Sequence, residues 1–270
     1  MSPLIRICKP LVDFAITLFL WSYFLFGYSL FFIPLLILLT PFSGRNEALF
    51  QKINHHFYRF FFLALGTLTP GLTLKIGKDV KTIRSAVVVA NHRSYLDPIM
   101  LISLFPRQRT IVKGVFFRVP IMRWVMTSSG YIPFDKSGEF NDIMAAGIQG
   151  MDDFFREGGV LFIFPEGRRH REKGLGRMQK GAFSIAARFN VPVEVLYIES
   201  SDRLFTPGKF LFNTCIETVI SVERLGTITQ GHDKHVRPDA MRDEAVWFYR
   251  ERILRGEGSP DIHSGQKKNI

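Results

Sequence analysis

From Phe14 to Gly44 the chain carries no charged residue, a run of 31 positions in which Phe, Trp and Tyr recur. As one helix this run would extend about 46 Å at ~1.5 Å per residue, beyond the ~30 Å hydrocarbon core of a bilayer. Such a segment predicts contact with membrane lipid and leaves two arrangements. One is a single tilted anchor that ends near Pro34. The other is a pair of short helices, broken around Gly27, that dips into one leaflet and returns. Cations flank both sides, Arg6 and Lys9 before, Arg45, Lys52 and Arg59 after. Cationic flanks stay on the cytoplasmic side, which favours the hairpin. The apolar core is too long for a secretory signal and lacks a small-residue cleavage site. The next stretch, Phe57 to Leu74, has Arg59 as its only charge and reads as a core or an interfacial helix.

Beyond the anchor, strand and helix patterns alternate. Leu72–Ile76 alternates as a strand, Ala86–Ala90 is a short apolar run, and Thr110–Val112 is a further candidate. Tyr131–Phe134 reads as an edge strand, because Pro133 cannot donate to a ladder. Residues 137–156 read as one helix capped by Ser137. Val160–Phe164 follows the stop signal Gly158-Gly159 as another strand. Gly181–Phe189 reads as a short helix, Val193–Ile198 as a strand, and a last helix begins at Pro238 and runs to about Leu254. The expected fold is α/β, a mixed sheet flanked by helices, with an N-terminal membrane-embedded helical segment. The expected division is an anchoring region at 1–70, an α/β domain at 71–255 and a mobile polar tail at 256–270.

Hydrophobic residues make up 47% of the chain and charged residues 22%, an apolar balance that fits lipid contact. The net charge of +11 favours anionic partners, such as an acidic membrane surface, a phosphorylated lipid or an acidic carrier. Nucleic acid is disfavoured, because the cations are not interleaved with an aromatic platform. Two cysteines, Cys8 and Cys215, imply no disulfide framework and suit a reducing compartment. There is no Gly-x-Ser-x-Gly elbow for a serine nucleophile. His55-His56 lacks the spacing of a zinc helix, so no metal is expected.

The chemistry gathers where two strands end. Asn91-His92-Arg93-Ser94-Tyr95-Leu96-Asp97 leaves the Ala86–Ala90 strand and enters a helix that Asp97 would cap, with Pro98 at its first position. Residues five apart on one helix point about 140° away from each other, so His92 and Asp97 meet only if His92 lies in the turn. There the carboxylate accepts the Nδ1 proton and leaves Nε2 free as a base. The plainer reading is a capping aspartate beside a satisfied loop histidine. Pro165-Glu166-Gly167-Arg168-Arg169 leaves the second strand. Two strands that deliver ionisable residues at their C-terminal ends describe one shared site.

In order and spacing these blocks resemble the glycerolipid acyltransferases, typified by lysophosphatidic acid acyltransferase. The resemblance rests on Asn91-His92 with Asp97, on Gly130 to Lys136, on Phe164-Pro165-Glu166-Gly167-Arg168-Arg169 and on Val191-Pro192, and covers roughly residues 75–200. Lys136 stands where that family usually has Arg, Arg168 where it has Thr, and Val195 where it has a second Pro. The resemblance implies acyl transfer from acyl-CoA or acyl-carrier protein to a lysophospholipid at a membrane, on the cytoplasmic face of the inner or cell membrane, with no cofactor. A lyso-aminolipid acceptor and a non-catalytic lipid-binding relative are the alternatives. His92 would be the general base and Asp97 its orienting partner. Asn91, Lys136, Glu166, Gly167, Arg168 and Arg169 would form the substrate site, with Lys136 and Arg169 on the acceptor's phosphate. Glu166 would bond the acceptor's hydroxyl or hold an arginine, and Gly167 would admit close backbone approach.

Overall fold

The computed structural model describes residues 3–39, 47–135, 137–169, 174–230 and 237–257. Helix α1 (Pro3–Phe26) runs through a π-helical segment (Gly27–Phe32) into α2 (Ile33–Leu39), and α3 is Glu47–Leu68. Then come β1 (Leu72–Ile76), β2 (Ala86–Ala90), α4 (Leu96–Leu104), β3 (Gln108–Lys113), α5 (Pro120–Ser128) and β4 (Ile132–Phe134). Helices α6 (Asn141–Gln149) and α7 (Met151–Arg156) lead to β5 (Val160–Ile163), α8 (Gly181–Phe189) and β6 (Val193–Glu199). The short α9 (Ser201–Leu204), β7 (Thr218–Ile228) and α10 (Pro238–Glu257) follow.

The seven strands form one sheet in the order β1-β7-β6-β2-β5-β3-β4. Only β6 and β7 pair antiparallel; the other pairs are parallel. The central strand β2, Ala-Val-Val-Val-Ala, is buried along its whole length, as a parallel strand covered on both faces must be. Alternate residues feed two cores. Val88 and Phe162 face one, with Phe61 and Leu65 of α3, Leu101 of α4 and Leu20 of α1. Val87, Val89 and Leu161 face the other, with Phe183 of α8 and Tyr249 of α10. Burying a side chain such as Leu20 or Phe61 is worth about 1.5–3 kcal/mol. Side chains of α1 and α3 thus share one core with the sheet.

The chain does not break at Gly27. A Cβ there would come within 2.9 Å of the Phe57 ring, so this glycine lets α1 lie close against α3. Tyr23 stacks on Phe57 at 4.8 Å and its hydroxyl donates to the Phe57 carbonyl. One window of this helix, Cys8–Leu35, is long and apolar enough to cross a membrane. Its outward side exposes Leu11, Phe14, Leu18, Phe19, Leu25 and Leu30, and α3 adds exposed Phe60 and Leu63.

The single helix expected at 137–156 is two, parted at Gly150 and starting after Phe140. Ser137 caps neither; its hydroxyl bonds the Asp135 carboxylate. The strand expected at 131–134 begins at Ile132 and lies at the sheet edge, and Phe164 falls outside β5. The last helix extends to Glu257, so the start of the expected tail is helical and residues 258–270 lie outside the described residues.

Candidate active site

Parallel register builds the site. Ala86 of β2 pairs with Val160 of β5, and Val89 with Ile163. Three residues further along both strands, the same offset brings His92 opposite Glu166. The His92 backbone N–H donates to Glu166 Oε1 at 3.1 Å. On the other flank of β2, the Asn91 side chain continues the ladder with β6. Its Nδ2 donates to the Ile198 carbonyl at 2.8 Å, and its Oδ1 accepts from the Ile198 N–H at 2.7 Å. Asn91 thus bonds the scaffold through both ends of its amide and positions the loop. The hydroxyl of Ser94 adds a bond to the Phe205 carbonyl at 3.0 Å.

Asp97 is fully buried. It lies within the first turn of α4, behind an N-cap at Tyr95, so it does not cap the helix as expected. Its carboxylate turns back instead. Oδ2 accepts from His92 Nδ1 at 3.1 Å, from the Arg93 N–H at 2.6 Å and from the Ser94 N–H at 2.7 Å. A carboxylate held by three donors orients the imidazole, an arrangement that would leave Nε2 available as a base. The Phe164 ring stacks on His92 at 4.3 Å and closes one face of it. Sequence reading missed this contact, because Phe164 passed as the last residue of a strand.

The second turn is built differently. Glu166 is buried and its other oxygen, Oε2, accepts from the Gly176 N–H at 3.0 Å. Both carboxylate oxygens bond backbone, so Glu166 braces two loops, and among the described residues it pairs with no arginine. Gly167 has φ +69°, with open space where a Cβ would be. Its glycine answers the left-handed turn. Arg169 lies over the Tyr95 ring at 3.4 Å, a cation–π contact. Its Nη1 is buried without a hydrogen-bond partner among the described residues. Such a donor costs free energy unless a ligand meets it. Arg168 is exposed, and Lys136 lies outside the described residues.

An apolar cavity of about 510 Å³ opens beside this loop. Tyr95, Leu96 and Ile99 form one wall, α1 and α3 supply Leu20, Phe24 and Phe61, and the loop after α9 supplies Phe205, Phe210 and Phe212. That loop is tied to α1: Asp13 Oδ1 accepts from the Thr214 N–H at 2.8 Å and Thr17 Oγ1 from the Phe212 N–H at 2.9 Å. No cluster of His, Cys, Asp or Glu suited to a metal occurs among the described residues.

Fold and site together define an α/β domain that presents an oriented histidine between a cationic turn and an apolar cavity. Residues 73–199 match the family described as Acyltransferase. The 1-acyl-sn-glycerol-3-phosphate acyltransferase BAT2, chloroplastic, of Brassica napus is 31% identical over 122 residues, 45% of this chain and 35% of that protein. A 1-acyl-sn-glycerol-3-phosphate acyltransferase of Saccharomyces cerevisiae is 28% identical, over 65% of this chain and 61% of its own. The crystal structure of the 1-acyl-sn-glycerophosphate acyltransferase PlsC from Thermotoga maritima superimposes with a TM-score of 0.62 at 15% identity, covering 92% of this chain and 98% of that one, and shares the fold. The chain is thus a relative of the 1-acyl-sn-glycerol-3-phosphate acyltransferases, with an acyltransferase domain over residues 73–199. It spans 35%, 34% and 58% of the length of three of its curated relatives.

Proposed function

We propose that this protein is a membrane-associated O-acyltransferase that moves a fatty acyl group from acyl-CoA or acyl-carrier protein to the hydroxyl of lysophosphatidic acid, giving phosphatidic acid. The observation that carries this reading is the His92–Asp97 pair, buried on the Asp side and open at Nε2. A thioester is already activated, so the work left is to deprotonate the alcohol and stabilise the oxyanion. His92 Nε2 takes the hydroxyl proton as the alcohol oxygen attacks the thioester carbonyl. The tetrahedral intermediate collapses, the C–S bond breaks, and the imidazolium returns its proton to the leaving thiolate. No acyl-enzyme forms.

The cavity beside Tyr95 suits the acyl chain, being lined almost entirely by apolar side chains. Arg169, with its unmet buried donor, suits the acceptor's phosphate, with Lys136 as its proposed partner. The exposed apolar side of α1 and α3 suits residence at the membrane, where the acceptor lies. The relatives' names, which specify 1-acyl-sn-glycerol-3-phosphate, favour this acceptor over a lyso-aminolipid. The test is to incubate purified protein in detergent with a panel of lysolipids and both thioester donors, and to identify products by mass. Phosphatidic acid is the expected product. A diacylated aminolipid would change the acceptor, and no product from any lysolipid would reject acyl transfer.

A further inference from the structure

We propose that the groove between the Gly174–Met178 segment and α10 holds the adenosine 3′,5′-diphosphate end of coenzyme A. The inference rests on the acyltransfer reading above and names the donor. The groove encloses about 760 Å³, with Leu175, Val246 and Ile253 along its apolar side and Arg177, Arg242 and Arg250 around it. Arg242 is already paired, with Asp239 at 3.1 Å and Asp243 at 2.9 Å. Arg177 and Arg250 are exposed, and neither makes an ion pair among the described residues. Two unpaired guanidinium groups beside an apolar wall match a phosphorylated nucleoside, whose phosphates take the planar forks and whose base takes the wall.

Position connects the groove to the chemistry. The Gly176 N–H donates to Glu166 Oε2 while Glu166 Oε1 accepts from the His92 N–H. The lip of the groove is therefore one carboxylate away from the base. The Gln179 N–H donates to the Pro165 carbonyl at 2.8 Å and ties the far end of the lip to the same turn. The groove belongs with the core on the α8 and α10 face of the sheet, to which Met178 contributes. The apolar cavity belongs with the opposite core, beside α1 and α3. A thioester held between them would have its polar handle on one face of the sheet and its acyl chain on the other, with the reacting carbonyl at the strand ends by His92.

The test uses the full chain and the double variant R177Q/R250Q. Isothermal titration with adenosine 3′,5′-bisphosphate measures the groove without any turnover. Wild type should bind it, and the variant should bind at least about tenfold more weakly, the loss expected when charge-assisted bonds to phosphate are removed. In transfer assays the variant's KM should rise for acyl-CoA but not for acyl-pantetheine, which lacks the nucleotide, nor for the lysolipid. Equal bisphosphate affinity in wild type and variant would overturn the proposal. So would an equal loss with acyl-pantetheine, or a loss confined to acyl-carrier protein, which would make the groove a carrier-protein surface. If wild type binds the bisphosphate but transfers no acyl group, the acyltransfer reading fails while the nucleotide site stands.

Discussion

The two turns that meet at the site are built to opposite plans. In the His92 turn nearly every polar group has a fixed partner: Asn91 on Ile198, Ser94 on Phe205, and Asp97 on three donors. In the turn after β5 the Glu166 side chain is fixed at both oxygens, whereas Arg168 is exposed and one Arg169 donor is unmet among the described residues. A base must be held still to take a proton from a weakly acidic alcohol, because a small misplacement costs much of the rate. Groups that grip a ligand's phosphate must instead keep their donors free until it arrives. Substitutions in the first turn should therefore lower kcat, and substitutions in the second should raise KM.

Among the groups that hold the two turns in place, the largest effect is expected from Asp97→Asn. Loss of the anion beside Nδ1 should lower kcat on the order of 10²–10⁴-fold with little change in either KM. The second oxygen, Oδ1, is buried without a partner among the described residues, so an amide N–H₂ there would also cost about 1–3 kcal/mol of stability. A KM effect with kcat preserved would erase the distinction between the turns. Next comes Arg169→Gln, which should raise the KM for lysophosphatidic acid about tenfold to hundredfold and leave kcat at saturation little changed. Arg168→Gln, at an exposed position in the same turn, should raise that KM less.

Smaller effects should appear in the scaffold beneath both turns. The buried Tyr249 hydroxyl bonds the carbonyls of Val89 and Leu196 at 3.2 and 2.9 Å. Burial, then the charge of Glu166, holds its phenol well above the usual range, so it remains a donor at any working pH. Tyr249→Phe should cost about 1 kcal/mol in denaturant unfolding. The smallest is a pH effect. His55 of α3 bonds the Ile102 carbonyl at 3.1 Å. Burial lowers its pKa; that bond opposes the shift, and the charges of His56 and Arg59 add to it. The folded state therefore prefers the neutral ring, and the unfolded chain binds a proton more readily. This contribution is present above the ordinary histidine pKa of about 6.5 and is lost as pH falls through it toward the lower folded value. The thermal midpoint should drop over that window in wild type and less in His55→Gln.

What the sequence disclosed, and what it hid, follows the range of the interactions involved. The bounds of β1, β2 and α8 were readable, because local periodicity and Gly or Asn punctuation decide them. The His92–Asp97 pair was readable because both residues sit on one short connection. The roles of Asn91 and Glu166 were not, since their partners lie 107 and 74 residues away and only strand register brings them together. Strand β7 escaped notice because Glu223, Arg224 and Gly226 interrupt its apolar alternation. Those charges are met from other elements, Glu223 by Arg252 and Arg224 by Glu194. Gly27 looked like a turn but serves helix packing, a role set by Phe57.

The central claim is that His92 is the base for acyl transfer, and single-turnover acylation of lysophosphatidic acid by His92→Ala tests it most directly. The variant's fold is checked by its thermal midpoint. The account predicts a folded protein that binds the lysolipid with near wild-type affinity and transfers acyl groups on the order of 10²–10⁴-fold more slowly. Transfer at the wild-type rate by the folded variant would contradict it.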